Sequence, residues 1–176
     1  MNKKKNNKGF SLIELIIAIA ILIILTGMLA PQFMKYIEKS REAKDVQAMD
    51  TVYSSLQAAL ANEDAYDYIV EEVNDKLVHP FTVKEFTTET TKTALGIEIA
   101  SLLGGSDLDL KSKIAGEGEI CFAIQYTEGE KATIDKKDIY TVGGYEIMVY
   151  CGDADKKRIK GLETIGATLA VDTVAE

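Results

Sequence analysis

From Phe10 to Ala30 the chain runs for 21 residues with a single charge, Glu14, and Leu15 to Leu25 is an unbroken aliphatic stretch. At about 1.5 Å per residue, a helix of that length spans ~31 Å, enough to cross the hydrocarbon core of a bilayer. The stretch is built for lipid. A carboxylate at bilayer depth costs roughly 2.5–3.5 kcal/mol on insertion scales, so Glu14 is read first as a functional residue. The alternative is a glutamate one turn into the helix, close enough to its end to reach the interface.

Four lysines (Lys3, Lys4, Lys5, Lys8) precede the run, which invites comparison with a secretory signal peptide. Cleavage after the run fits badly: the sequence there is GMLAPQ, with bulky Met28 where a small residue belongs and Pro31 directly after the candidate bond. The apolar segment is therefore expected to stay in the mature chain. Positive charge on the far side (Lys35, Lys39, Arg41, Lys44) nearly balances the leader; the tighter leader cluster favours an inside N-terminus.

Taken together, KKKNNKG, then FSLIE, then the aliphatic run resembles a prepilin of the type IV filament superfamily. The resemblance implies a leader, residues 1–9, that a prepilin peptidase removes between Gly9 and Phe10. It also implies N-methylation of Phe10, and retention of residues 10–30 as a transmembrane and polymerisation helix. Residues 31–176 would then form an extracellular globular head that includes the second half of the long helix. In such proteins the carboxylate equivalent to Glu14 pairs with the terminal amine of a neighbouring subunit. The implied function is a structural subunit of a pilus-like filament, with no enzymatic activity and no cofactor. Implied partners are further copies of the chain, minor pilins, the prepilin peptidase, and a membrane assembly platform with its ATPase. The implied location is a single-pass membrane protein before assembly and an extracellular pilus or cell surface afterwards. Two alternatives stay open: a pseudopilin of a secretion or DNA-uptake machine, and a monomeric membrane-anchored surface protein.

Pro31 lacks the amide proton that would bond the carbonyl of Gly27, itself a poor helix former, so Gly27 and Pro31 mark a soft point or a kink. Beyond it, Val46, Met49, Tyr53, Leu56 and Leu60 recur in steps of three and four, predicting an amphipathic helix to about Ala61. A second helix is expected through Tyr66, Ile69, Val70, Val73 and Leu77, capped by Asp64 or Asp67 and ended by HPF at 79–81. A third is expected over Thr91–Leu103, stopping at Gly104-Gly105, and a short one over Leu108–Ile114. After Gly118 the period becomes two. EICFAIQY and GYEIMVYCG read as strands, with a short strand at Ala132–Ile134 and a last one near Thr164–Val171. Helices first and then a small antiparallel sheet make an α+β fold, in agreement with a pilin-like architecture.

After Ala30 the balance is 16 basic residues against 27 acidic, which argues against direct nucleic-acid binding. Cys121 and Cys151 are the only cysteines, and both fall on expected strands. In an extracellular head they form a disulfide or remain two buried thiols; the sequence leaves both open. Two cysteines and one histidine, His79, make neither a metal centre nor a catalytic constellation. The acidic motifs DLDL (107–110) and GDADKK (152–157) lack the ligand spacing of a calcium loop and suit turns and helix caps instead.

Overall fold

The computed structural model describes residues 9–73, 77–87, 93–104, 108–129, 131–134, 137–140 and 143–172. The chain divides into two units, the first ending at Lys39 and the second beginning at Ser40. Helix α1 (Leu12–Ala59) enters both. In the first unit its side chains are exposed throughout, from Leu12 to Ile37. In the second unit it is amphipathic, and Met49, Val52, Leu56 and Ala59 are wholly buried; of the stripe read from sequence, Met49 and Leu56 lie in the core, whereas Val46, Tyr53 and Leu60 are only partly buried beside it.

Helix α2 (Glu63–Glu72) starts at Asn62, whose side-chain oxygen accepts from the N–H of Asp64 (3.0 Å) and Ala65 (3.4 Å). The cap is therefore neither Asp64 nor Asp67. Both lie inside the helix, past the position from which a side chain can reach the first orphan donors. Val73 ends α2, and Leu77 is exposed outside it. The HPF segment does not simply stop a helix; it is strand β1 (His79–Thr82), followed by a short helix α3 (Val83–Thr87). Helix α4 (Ala94–Leu103) is capped by the Thr93 hydroxyl and closes on Gly104 in the left-handed conformation (φ 57°), as the Gly-Gly signal predicted. Residues 91 and 92 of the expected helix lie outside the described residues.

No helix forms over Leu108–Ile114. The two carboxylate oxygens of Asp45 on α1 accept from the N–H groups of Lys111 and Ser112, each at 2.8 Å, and the Ser112 hydroxyl accepts from Ala115 N–H. Donors that a helix would turn along its own axis are committed to a side chain instead, and the segment becomes a turn ending at Gly116 (φ 57°). Asp45 is only 2% exposed, so this bond pair is an internal tether.

The main sheet has the order β1-β2-β5-β6, all antiparallel, with β2 (Glu119–Thr127) and β5 (Gly144–Gly152) paired along nine residues each. A two-stranded ribbon, β3 (Lys131–Ile134) with β4 (Lys137–Tyr140), lies between β2 and β5 in the chain; the sequence pattern predicts β3 but gives no sign of β4. The expected last strand shrinks to β6 (Ile165–Gly166). Gly166 has φ 92°, and a Cβ there would meet the Ile147 carbonyl and Tyr53 Cε2, so the chain bends off the edge at that point.

Alternation along the strands gives the sheet two buried faces. Ile120, Phe122, Ile124, Ile147, Val149 and Cys151 face α1, α2 and α4. Cys121, Ala123, Met148 and Tyr150 face the other way and are covered by the C-terminal segment, with Leu169 buried among them. Tyr150 donates its hydroxyl proton to the Lys156 carbonyl (2.7 Å), tying the turn after β5 to this second face. Within GDADKK, one Asp153 oxygen accepts from the N–H of Asp155 and Lys157, which is the turn role read for that motif. The architecture is α+β: a long apolar helix whose second part packs on a small antiparallel sheet.

Candidate assembly segment

The first helical turn gives Glu14 a definite partner. Ser11 is the residue before the helix, Leu15 N–H donates to the Ser11 carbonyl (3.2 Å), and Glu14 Oε2 accepts from the Ser11 N–H (2.8 Å). This is the glutamate half of a capping box, Ser-x-x-Glu, in which the third helical residue reaches back to the cap. The carboxylate also lies at the positive end of the helix dipole. Its burden in an apolar run is thus partly met by its own backbone. The sequence reading singled out Glu14 but missed Ser11; the serine three positions before the glutamate was the signal available.

Further along, the Thr26 hydroxyl donates to the Leu22 carbonyl at 2.7 Å, so this polar group too is satisfied within the helix. Gly27 and Pro31 both lie inside α1, and the helix is unbroken across them. Gly9 and Phe10 precede the helix; Gly9 has no neighbour within reach of an added Cβ, and Phe10 is 85% exposed. The exposed apolar surface continues past Ala30 through Phe33, Met34, Tyr36 and Ile37, seven residues farther than the span read from composition. Helix α1 is long and apolar enough to cross a membrane, with none of its most apolar window covered within this chain.

The two cysteines are not brought together as a bridge; both thiols are free. The strand register sets Cys121 opposite Tyr150 and Ile120 opposite Cys151, so the sulfurs fall on opposite faces of the sheet. A disulfide needs Cβ atoms pointing toward one another, which a one-residue offset in an antiparallel pair denies. Of the two alternatives left open from sequence, the structure has the two separate core thiols. Burial pushes Cys121 up to about 12, helped by the neighbouring Cys151, and Cys151 up to about 11, helped by Asp45. His79 lies in β1, away from any metal grouping: among the described residues no cluster of three or more His, Cys, Asp or Glu is placed to hold an ion.

Residues 4–30 match the family described as the prokaryotic N-terminal methylation motif. This is the stretch that holds Gly9, Phe10, the capping box and the exposed aliphatic run. In this segment the chain is similar to type IV prepilins. The chain is also similar to the type IV major pilin protein PilA of Myxococcus xanthus (strain DK1622), with 30% identity over 67 residues, or 38% of this chain. The match spans about 30% of that relative's length, so the likeness concerns part of each protein. No solved structure matches the chain.

Proposed function

We propose that the mature chain is the structural subunit of an extracellular type IV pilus-like filament, assembled through its N-terminal helix. The supporting observation is an apolar helix with no cover inside its own chain, carrying one carboxylate in its first turn. Such a surface is stable only in lipid or against other apolar helices, so one segment serves as anchor before assembly and as core afterwards.

In this reading a prepilin peptidase cuts between Gly9 and Phe10 and methylates Phe10. Cleavage creates an ammonium group one residue before Ser11. Glu14, held by the Ser11 N–H, presents a carboxylate at the level where a neighbour's amine arrives as helices stack. Opposite charges attract strongly in low dielectric but must offset their own desolvation, so the pair contributes register more than net stability. The Gly27–Pro31 stretch is the point where α1 yields first on assembly, because one helical hydrogen bond is missing there. Minor pilins, a membrane platform and its ATPase complete the machine.

Glutamine separates the two roles of Glu14. Glu14→Gln keeps a capping-box acceptor for Ser11 but removes the charge; it is expected to insert, be cleaved, and give few filaments in electron micrographs of sheared surface material. Normal filament yield from this variant would end the charge-pairing reading. Mass analysis of the surface protein is expected to show methylated Phe10 at the terminus. A start at Met1 or after Ala30 would remove the whole proposal.

A further inference from the structure

The inner side of β5 is paired with β2 from Gly144 to Gly152, but its outer side is covered only in part. The Ile147 carbonyl accepts from Ala167 N–H (2.9 Å) and the Cys151 carbonyl from Ile159 N–H (2.8 Å), so odd-numbered residues of β5 aim their backbone groups outward. The Gly144 carbonyl accepts from the Thr127 hydroxyl on the β2 side, as this alternation requires. The next outward residue is Tyr145. Past Ala167 the chain leaves the edge to bury Leu169 on the second face, and among the described residues no strand lies beside Tyr145. An open groove of about 390 Å³ borders it there, with Tyr53, Gln57 and Leu60 of the α1 end on one side and Glu146 as its one charged residue.

The opposite edge of the sheet is closed by two devices. The register of β1 on β2 turns Pro80 and Thr82 outward. Pro80 has no N–H, and the Thr82 N–H is taken by the Glu85 carboxylate (3.2 Å), itself held by Lys156 Nζ (3.0 Å). Unpaired edges recruit foreign strands unless blocked in such ways. One edge of this sheet is guarded and the other is left open beside a groove.

We propose that the β5 edge at Tyr145 accepts an extended segment of a partner protein, which adds to the sheet as a strand. Its backbone bonds the N–H and C=O of Tyr145. Because strand side chains alternate, one residue enters the groove beside Tyr53 and Leu60, and the next, a basic one, meets Glu146. The acidic balance of the chain after Ala30 favours the same sign of partner. A second copy is a poor donor through β1, whose edge is the guarded one.

The test uses the full chain in detergent micelles and an end-capped hexapeptide alternating lysine and valine. Two further peptides carry backbone N-methyl groups on the valines or on the lysines. Strand addition requires that one methylated peptide lose about tenfold or more in affinity while the other binds as the parent does, because only alternate N–H groups face β5. Hydrogen exchange at the Tyr145 amide should slow on binding, and Glu146→Lys should weaken the lysine peptide and favour a glutamate-valine one. Equal behaviour of the two methylated peptides, absence of binding, or an unchanged Tyr145 amide would overturn the proposal. So would self-association of the chain that Glu146→Lys abolishes, since the occupant would then be a second copy.

Discussion

Replacing Asp45 by alanine removes both acceptors of the tether between α1 and the segment before β2. The carboxylate is 2% exposed, and its two bonds to Lys111 and Ser112 N–H are each 2.8 Å, within the range of charge-assisted bonds. A hydrogen bond to a charged group is worth about 1.5–3 kcal/mol, and the cost rises when the abandoned donor stays buried, as around Ser112 (3% exposed). Loss of both therefore amounts to about 3–6 kcal/mol, a large share of the ~5–15 kcal/mol that holds an ordinary domain together. For a head of this size each kcal/mol lowers Tm by about 2–4 °C, which sets the expected drop at roughly 6 °C or more. Near-ultraviolet circular dichroism of the full chain in detergent follows the tyrosines of the head and avoids the signal of the apolar helix. Asp45→Asn retains one acceptor but points an amide donor at a backbone N–H, so an intermediate loss is expected. A Tm within ~2 °C of wild type for Asp45→Ala would refute the assignment of this carboxylate as the structural tether.

Asn62→Ala should cost about 1 kcal/mol by stripping the α2 cap, measured by urea unfolding, with no change in the membrane behaviour of the chain. Gly166→Ala meets both a left-handed φ and the Tyr53 ring, so a loss of about 1–3 kcal/mol is expected; an unchanged urea midpoint would contradict the close approach at β6. Cys121 and Cys151 titrate above the ordinary 9.0, so the stability they lend is full below pH ~9 and is lost as pH climbs toward their folded values near 12 and 11. A urea series from pH 8 to 11 should show this decline, flattened in Cys121→Ala. At pH 8, maleimide should leave both thiols unmodified until urea unfolds the head, and fast labelling of the native protein would rule out their burial.

The segments that could be read directly from sequence were those whose period speaks for itself. Phe10 to Ala30 announced a lipid-compatible helix, Met49 to Leu60 a core stripe, and the strands about Phe122 and Val149 a period of two. Where the decision rested on a distant partner, local pattern failed. Leu108–Ile114 has helical composition, but Asp45, more than 60 residues away, claims its donors. Pro80 reads as a breaker until one sees that it lies on an outward-facing edge, where no donor is required. The disulfide question turned on strand register, a property of two strands together that neither cysteine's surroundings encode. At the candidate assembly segment Glu14 stood out because a charge in an apolar field is conspicuous, and Gly9 and Phe10 were named only through the resemblance, whereas Ser11 passed as an ordinary small residue.

Leu169 seals the second sheet face by insertion, beside backbone bonds from Ala167 N–H to the Ile147 carbonyl and from Arg158 N–H to the Asp172 carbonyl, with both sulfurs left unjoined. Maturation of this head consequently asks for no oxidant and no thiol-exchange catalyst. Its closure is indifferent to whether the surroundings are aerated or reducing, but it is surrendered whenever solvent conditions loosen apolar contacts, since nothing covalent remains to hold the flap in place.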